Sequence, residues 1–266
     1  MKNKKSLGQN WLKNRAILEE IADLVRYGDD DIVDDGSAVR NSEKAGVTCV
    51  EIGPGLGTLT TSLLRRFEKV IAVEFDEDLA AKLPGSFPGT NLEVVNEDIL
   101  KFDFDAVEGP YVVAGNIPYY ITSPIIKRVL TSGHLPERVV LLMQKEVAER
   151  ITDERETVLS LLVKNRASVY AGPVVSREEF TPPPKVDSEV LVMEPYAEPL
   201  VGEEVFDLIQ RGFSNPRKKL VHNLAGLKSR EELEKVLMEC GISLDARPGE
   251  VGLKKWAELN EKLQQK

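Results

Sequence analysis

Apolar and polar positions alternate in blocks along the middle of the chain. Between residues 47 and 143, short apolar runs are separated by amphipathic stretches of helical period, which is typical of an α/β protein with a doubly wound parallel sheet. The predicted strands are residues 48–52, 69–75, 92–95, 111–115 and 138–143. Open sheets of this kind bind ligands at the carboxyl ends of their strands, so we expect the functional residues there.

A different pattern follows the predicted sheet. Residues 167–175 and 189–193 are predicted to be two further strands that pair antiparallel, and a segment rich in proline, glycine and glutamate spans residues 194–203. The predicted helices beyond it are residues 205–213, 218–224, 229–240 and 253–263, with no strand signal among them. The pattern therefore predicts a main domain at residues 1–195 and a small all-helical domain at residues 203–266.

The start of the chain is predicted to be a helix followed by a loop. Apolar residues recur at helical spacing through residues 16–27. Residues 28–46 are acidic and polar, with glycine and serine among them, which predicts a surface loop. We assign no function to this loop.

The charge of the chain limits where a nucleic acid can bind. Lys and Arg number 35 against 44 Asp and Glu, and the resulting formal net charge of −9 excludes a protein that coats polyanions in general. Any nucleic-acid site must therefore be local. Basic side chains cluster near the N-terminus, where Lys4 and Lys5 lie, and again at Arg217, Lys218 and Lys219, a plausible phosphate contact.

Cysteine and histidine are scarce. Cys49, Cys240, His134 and His222 provide neither a disulfide framework nor the ligand spacing of a zinc site, so we expect a reducing compartment and no metal. No apolar run approaches the length that spans a membrane, and no apolar signal-peptide core follows the basic start. We therefore expect a cytoplasmic protein with no membrane partner.

A glycine-rich turn follows the first strand of the predicted sheet. It begins at Glu51 and includes Gly53 and Gly55, where the absence of a side chain lets the backbone approach a ligand closely. Glu74 ends the second strand, where a carboxylate can bind both hydroxyls of a ribose. Together they indicate a cofactor that contains a nucleoside.

The candidate cofactors are NAD and S-adenosylmethionine. The spacing Gly-x-Gly-x-Gly differs from the Gly-x-Gly-x-x-Gly that seats a pyrophosphate at a helix N-terminus, and no second nucleotide-binding half follows. The methyl donor is therefore favoured. Asp98, after the third strand, can accept a hydrogen bond from the adenine amine of the cofactor, and Ile99 offers an apolar contact and a backbone N–H. An ordinary acidic turn explains Asp98 alone equally well.

The fourth predicted strand runs into the segment Asn116-Ile117-Pro118-Tyr119. The exocyclic amine of adenine is a poor nucleophile because its lone pair is delocalised into the ring. The Asn116 side-chain oxygen and the Ile117 carbonyl, held stiff by Pro118, can each accept one N–H and direct the lone pair toward a methyl group. Tyr119 can stack on the flipped base. An ordinary turn after a strand explains these four residues when they are taken alone.

Two more segments carry unusual residues for their position. The N-terminal segment Leu7-Gly8-Gln9-Asn10-Trp11-Leu12 contains amides and an aromatic ring where a free terminus tolerates any residue, so we expect it to fold back onto a site. Phe180 begins a segment with three consecutive prolines, which predicts a stiff extended loop. Such a loop can lay Phe180 on the base face opposite Tyr119, although the pattern alone favours Phe180 as a core residue.

The order of these motifs resembles that of the ribosomal RNA adenine dimethyltransferases, a family that modifies two adjacent adenines near the 3′ end of small-subunit RNA. The resemblance extends over nearly the whole chain. It is carried by Leu7-Gly8-Gln9-Asn10-Trp11-Leu12, Glu51-Ile52-Gly53-Pro54-Gly55-Leu56-Gly57-Thr58-Leu59-Thr60, Asn116-Ile117-Pro118-Tyr119-Tyr120-Ile121-Thr122-Ser123-Pro124 and Phe180-x-Pro182-x-Pro184-Lys185-Val186-Asp187-Ser188.

The resemblance implies a Rossmann-like class I methyltransferase sheet, S-adenosylmethionine as cofactor, S-adenosylhomocysteine as product and no metal. The residues expected to bind the cofactor are Gln9, Asn10, Leu12, Glu51, Gly53, Gly55, Glu74, Asp98, Ile99 and Asn116. The residues expected to handle the target adenine are Asn116, Ile117, Pro118, Tyr119 and Phe180. The residues expected to contact RNA are Lys4, Lys5, Arg217, Lys218 and Lys219.

The resemblance further implies small-subunit ribosomal RNA within a pre-ribosomal subunit as the partner, a link to maturation of that subunit, and a monomeric enzyme. Two rival functions share the same motifs. One is methylation of a large-subunit adenine, which confers antibiotic resistance, and the other is a non-catalytic RNA-binding assembly factor. The helical C-terminal region and the proline segment favour the small-subunit enzyme, and the intact Asn116 and Tyr119 disfavour the non-catalytic factor.

Overall fold

The structure, a computed structural model, describes residues 9–26 and 46–265. The strands are β1 (Trp11–Leu12), β2 (Thr48–Ile52), β3 (Lys69–Glu74), β4 (Leu92–Asn96), β5 (Tyr111–Asn116), β6 (Arg138–Gln144), β7 (Ala167–Val175), β8 (Phe180–Thr181) and β9 (Ser188–Pro195). The α-helices are α1 (Arg15–Leu24), α2 (Thr58–Leu63), α3 (Glu77–Ser86), α4 (Thr122–Leu130), α5 (Lys145–Thr152), α6 (Val158–Arg166), α7 (Glu203–Gly212), α8 (Leu220–Asn223), α9 (Arg230–Glu239) and α10 (Leu253–Gln264). The predicted acidic loop lies, apart from Gly46, outside the described residues.

The central sheet has seven strands in the order β4-β3-β2-β5-β6-β9-β7. The pairs β2 with β3, β2 with β5, β3 with β4 and β5 with β6 are parallel, whereas β9 runs antiparallel to β6. The chain moves outward from β2 to β4 and then returns to β5 on the other side of β2. This reversal creates a switch point between β2 and β5, where sheets of this class bind ligands.

The predicted α/β class is confirmed, and the predicted strands are all present. β2 and the first five residues of β5 are buried along their length, as expected for central parallel strands covered on both faces. β9 lies between β6 and the edge strand β7, so the two strands predicted after the parallel sheet are neighbours within the same sheet.

A small ribbon that the apolar pattern does not predict joins the N-terminal segment to the proline segment. β1 pairs antiparallel with β8, so Leu12 lies opposite Phe180 and Trp11 opposite Thr181. Leu12 and Phe180 are both buried in the apolar core beside the sheet. The adjoining helix α1 begins after Asn14, whose side chain accepts hydrogen bonds from the first helical N–H groups.

The C-terminal region is helical, as predicted. Trp256 of α10 is fully buried at the centre of its core, and its ring packs near Phe213 with 6.2 Å between the ring centroids. The ring lies so close to Gly212 that an added Cβ there would be 2.2 Å from the nearest ring atom. Ser229 and Glu232 form a reciprocal capping box at the start of α9. Local helix signals and apolar packing therefore agree in this region.

The chain divides into two compact units. The first comprises Met1–Ala148 and Tyr170–Pro195, and the second comprises Glu149–Val169 and Tyr196–Lys266. The second unit thus includes α6, which the sequence pattern places in the main domain. The reason is packing, because Leu161 of α6 is buried in the core that surrounds Trp256. The separate roles expected for the two predicted domains stay predictions.

Candidate active site

The carboxyl ends of four parallel strands meet at one edge of the sheet. The last residue of β2 is in register with Gly115 of β5, so the residues that follow, Gly53 and Asn116, lie at neighbouring positions. β3 ends at Glu74, opposite Asn96 of β4. The topology therefore brings together side chains that are far apart in the sequence, at the switch point of the sheet.

A cavity of about 230 Å³ opens at this edge. Its lining includes every residue predicted to bind the cofactor, which are Gln9, Asn10, Leu12, Glu51, Gly53, Gly55, Glu74, Asp98, Ile99 and Asn116. Ile117, Pro118 and Tyr119 of the predicted catalytic segment also line it. The N-terminal segment contributes residues 9–12, so it folds back onto this cavity as expected.

Glu74 is held rigidly at the wall of the cavity. Its Oε2 accepts the backbone N–H of Gly55 at 3.0 Å, and its Oε1 accepts that of Asp76 at 2.9 Å. Gln9 adds a hydrogen bond from its Nε2 to Asp76 Oδ2 at 3.2 Å. Burial raises the pKa of Glu74, while the two backbone N–H groups act in the opposite direction. Each carboxylate oxygen retains a second lone pair that can accept a hydrogen bond from a hydroxyl group.

Glu51 provides a second carboxyl group, which is 1% exposed. The hydroxyl of Thr60 donates to Glu51 Oε2 at 2.6 Å. The pKa of Glu51 is raised to about 8: burial is the largest cause, the Thr60 hydrogen bond acts in the opposite direction, and the nearby charge of Glu74 adds to the rise. Glu51 therefore holds its proton to a higher pH than an exposed glutamate does.

The glycine-rich turn has a backbone that other residues do not readily adopt. Gly53 and Gly55 have φ values of +64° and +57°. An added Cβ at Gly55 would lie 3.0 Å from the indole nitrogen of Trp11, whereas one at Gly53 would meet no atom within 4 Å. Gly53 thus faces open space in the cavity, while Gly55 lets the N-terminal segment pack against the turn.

Asn116 is oriented by the N-terminal segment. Its Nδ2 donates to the backbone carbonyl of Asn10 at 2.9 Å, a contact between residues 106 positions apart in the sequence. Because this bond uses the amide nitrogen, the side-chain oxygen of Asn116 remains an acceptor. The next peptide is fixed as well, since the N–H of Ile117 donates to the carbonyl of Leu142 at 3.2 Å.

Tyr119 is anchored through its hydroxyl. The hydroxyl lies 2.7 Å from the Oγ of Ser188, which is fully buried at the start of β9. Burial raises the pKa of the Tyr119 hydroxyl, the Ser188 hydrogen bond lowers it, and the Asp187 charge raises it. The half-buried ring is therefore a neutral aromatic surface of fixed orientation at the cavity.

Asp98 and Ile99 lie at the end of the cavity that follows β4. Asp98 Oδ1 accepts the backbone N–H of Leu100 at 3.0 Å, which turns the chain after the strand. Ile99 is buried. Both residues line the cavity, where an adenine amine and an adenine face can be recognised.

Phe180 is not brought into the cavity. It is 2% exposed, is buried in the same core as Leu12, and is not among the residues that line the cavity. This position agrees with the core role favoured by the pattern alone. The stacking role implied by the family resemblance stays a prediction, and it requires Phe180 to leave the position that the structure gives it.

The predicted RNA contacts are placed only in part. Lys4 and Lys5 lie outside the described residues. Arg217, Lys218 and Lys219 are exposed in the second unit, between α7 and α8, and Lys219 forms an ion pair with Asp245. Their role in RNA binding stays a prediction.

Three aromatic residues at the cavity are missing from the predicted site. Trp11, Phe75 and Tyr120 line it, and Phe75 and Tyr120 are each 62% exposed. The sequence could have indicated that these residues lie at the cavity, because each directly follows or precedes a predicted site residue. The apolar pattern assigned Phe75 to the end of a strand and left the other two as members of motifs without a role.

Two negative observations concern residues 9–26 and 46–265. No group of His, Cys, Asp and Glu side chains in these ranges is arranged to hold a metal ion. None of the helices there is long and apolar enough to cross a membrane.

The chain matches the family model described as ribosomal RNA adenine dimethylase over residues 1–265. A protein of Levilactobacillus brevis named ribosomal RNA small subunit methyltransferase A is 36% identical in an alignment of 277 positions, which covers 96% of this chain and 88% of that protein. The protein of the same name from Synechocystis sp. is 35% identical in an alignment of 280 positions, which covers 98% of this chain and 96% of that protein.

Two solved structures share the fold over most of the chain. The 23S rRNA methyltransferase ErmE is 27% identical with a TM-score of 0.75, and the match covers 96% of this chain and 100% of that one. A dimethyladenosine transferase from Plasmodium falciparum is also 27% identical with a TM-score of 0.75, covering 94% of this chain and 98% of that one. Because the family model matches almost every residue, the chain belongs to the ribosomal RNA adenine dimethylase family.

Proposed function

We propose that this enzyme transfers methyl groups from S-adenosylmethionine to the exocyclic amines of two adjacent adenines near the 3′ end of small-subunit ribosomal RNA. The partner is an incompletely assembled small subunit in the cytoplasm, and the enzyme acts as a monomer. One observation carries the proposal: Asn116 stands at the cavity with its amide nitrogen bonded to Asn10 and its oxygen left to accept an amine N–H. The names of the curated relatives support the choice of the small subunit.

The cavity suits the methyl donor. Glu74 offers carboxylate oxygens to the ribose hydroxyls, Asp98 offers an acceptor to the adenine amine, and Gly53 leaves space for the ligand because a Cβ there would meet no protein atom within 4 Å. When bound, S-adenosylmethionine supplies an electrophilic methyl group on a sulfonium. The residues that bind it are spread over the ends of β2, β3 and β4 and over the N-terminal segment.

The catalytic segment aligns the target amine. Asn116 Oδ1 and the Ile117 carbonyl each accept one N–H, and these two bonds hold the nitrogen with its lone pair toward the donor. The bonds strengthen as the nitrogen becomes tetrahedral, so they stabilise the transition state more than the bound substrate. Pro118 limits the motion of the Ile117 carbonyl. The segment thus contributes by alignment, for which effective molarities can be very large.

Tyr119 binds the flipped adenine by stacking. Its hydroxyl is held by Ser188, so the ring does not need to be ordered when the base enters. An aromatic ring and an extruded base give sequence-tolerant stacking energy, and the hydrogen bonds of Asn116 and Ile117 then distinguish an amine from a carbonyl at the reacting position.

A second candidate is methylation of a large-subunit adenine. The specific observation in its favour is the similarity to the 23S rRNA methyltransferase ErmE. The identity and the TM-score of that match equal those of the match to the dimethyladenosine transferase. The two functions use the same chemistry and differ only in the RNA that reaches the cavity.

Labelled methyl transfer to undermethylated ribosomal subunits separates the two candidates. Small and large subunits are offered separately, and the labelled nucleoside is identified by mass analysis. We expect dimethyladenosine in small-subunit RNA and no label in the large subunit. Label confined to the large subunit would replace the proposed function with the second candidate, and the absence of label in both would favour a non-catalytic binding factor.

A further inference from the structure

The rim of the cavity carries an exposed aromatic ring that the proposed reaction does not use. Tyr120 lines the cavity and is 62% exposed, whereas the adjacent Tyr119 is partly buried. Within the described ranges, no residue forms a hydrogen bond or a ring contact with Tyr120. An exposed aromatic at the entrance to a catalytic cavity is a surface available to a substrate.

The backbone explains why the two tyrosines differ. Residues Tyr119–Ile121 form a 3₁₀ turn, in which the Ile121 N–H donates to the Pro118 carbonyl at 3.2 Å. With three residues per turn, adjacent side chains diverge by about 120°. Tyr119 is therefore held toward Ser188 while Tyr120 faces solvent.

We propose that Tyr120 is a stacking platform for the nucleotide next to the target adenine; this inference rests on the proposed function. Extrusion of the target base leaves the neighbouring base without a stacking partner, and aromatic side chains bind such bases. Because Tyr119 and Tyr120 are adjacent and their side chains diverge, one ring can contact the extruded base while the other contacts its neighbour.

Among the described residues, Phe75 is the other exposed ring at the cavity, and its position suggests a different ligand. It directly follows Glu74, whose carboxylate is bonded to the glycine-rich turn at the nucleoside side of the cavity. Tyr120 instead continues the catalytic segment that begins at Asn116. The two rings thus differ in the elements that carry them. Only Tyr120 is expected to contact the RNA without also contacting the cofactor.

The platform has a consequence for the two adjacent target adenines. The strand binds in one direction, so for one of the two transfers the other adenine is the neighbouring base that Tyr120 contacts. The ring therefore holds the second adenine close to the cavity between transfers. Loss of the ring is expected to weaken RNA binding and to lower the fraction of RNA molecules in which both adenines are dimethylated.

The test compares Tyr120→Ala, Tyr120→Phe and the control Tyr170→Ala. Tyr170 is 42% exposed and is not among the residues that line the cavity, so it controls for the loss of an exposed tyrosine. For each variant we would measure KM and kcat with undermethylated small subunits, the Kd for S-adenosylmethionine, and the thermal unfolding midpoint. Binding of the protein to small subunits in the presence of S-adenosylhomocysteine gives a readout that is independent of turnover.

Tyr120→Ala is expected to raise KM and the subunit Kd by at least about five-fold, the lower limit of aromatic–base stacking. The Kd for S-adenosylmethionine and the unfolding midpoint should not change. Tyr120→Phe retains the ring and should behave like the wild type, as should Tyr170→Ala.

Wild-type values of KM and subunit Kd for Tyr120→Ala would overturn the inference and leave the proposed function intact. An equal loss of affinity for S-adenosylmethionine would also overturn it, by assigning the ring to the cofactor. If the wild type does not modify small subunits, the proposed function fails. The same kinetics with large subunits, if the wild type methylates those, would then decide the role of Tyr120. A protein that methylates neither subunit would overturn the inference as well.

Discussion

The cavity of the first unit and the basic cluster of the second unit, Arg217-Lys218-Lys219, are built in different ways. In the cavity, Asn116, Glu74 and Glu51 are each held by at least one hydrogen bond. In the basic cluster the side chains are exposed, and one of them is already paired with an acid. We therefore expect the cavity to act through fixed geometry and the basic cluster to act through charge.

This difference sets the size of the effects expected from mutation. When one side chain of a fixed, partly buried site is substituted, the hydrogen bond that it contributed is lost and no neighbouring side chain replaces it. An exposed charge is screened by salt, and its neighbours compensate for its loss. Substitutions in the cavity should thus be costly one at a time, while those in the basic cluster should be additive and salt-dependent.

The largest effect is expected for Asn116→Ala. It removes the acceptor for the target amine, and kcat should fall by about 10²–10³-fold, the usual cost of losing one preorganised hydrogen-bonding group. The Kd for RNA should change little. The variant is assayed by methyl transfer at saturating substrate, with Asn91→Ala as the control because Asn91 is an exposed asparagine before β4, at the opposite end of the strands.

Asn116→Asp makes the same test sharper. It retains an oxygen acceptor but loses the N–H that donates to the Asn10 carbonyl. If orientation by Asn10 matters, this variant should be nearly as impaired as Asn116→Ala. Wild-type turnover by Asn116→Ala, in a protein with an unchanged unfolding midpoint, would contradict the assigned mechanism. Wild-type turnover by Asn116→Asp would show that the bond to Asn10 is not needed for it.

A smaller effect is expected from the buried carboxyl group of Glu51. Its pKa is about 8 in the folded protein against an ordinary value of 4.5, so between these values the folded state binds the proton and the unfolded state does not. Its contribution to the free energy of unfolding is therefore complete below about pH 4.5 and is lost as the pH rises toward 8. Between pH 6 and pH 7.5 the loss approaches about 2 kcal/mol.

Glu51→Gln removes this titration, so its unfolding free energy should vary less with pH over the same interval than that of the wild type. Denaturant unfolding at several pH values measures the difference. Glu68→Gln is a suitable control because Glu68 is an exposed carboxylate in the same unit. Parallel pH profiles for the wild type and Glu51→Gln would show that Glu51 does not titrate in this range.

The smallest effect is expected from the basic cluster. The double variant Arg217→Ala with Lys218→Ala should weaken subunit binding only a few-fold, and it should reduce the slope of log Kd against log salt concentration by about 1 to 2. Filter binding at several salt concentrations measures this slope. The control is Lys82→Ala with Lys235→Ala, two exposed lysines on α3 and α9. An unchanged slope would remove the cluster from the RNA-binding surface.

The alternation of apolar and polar positions was sufficient to predict the parallel strands and the helical C-terminal region. It also predicted that residues at the ends of these strands would lie at one edge, because parallel strands carry their carboxyl ends to one edge of the sheet. Gly53, Glu74, Asp98 and Asn116 each follow or end a different strand, so their position at one edge follows from the parallel direction of the strands. The sequence determined this much by itself because the signal is local and repeats along the chain.

Other features were decided only by the tertiary structure. The pairing of Leu12 with Phe180 buries a ring that a motif suggests should face a base, and the bond from Asn116 to Asn10 joins residues 106 positions apart. α6 packs with the C-terminal helices through Leu161 despite its place before β7. The raised pKa of Glu51 likewise depends on how much protein surrounds it. Burial and long-range pairing depend on the whole folded arrangement, so no local pattern specifies them.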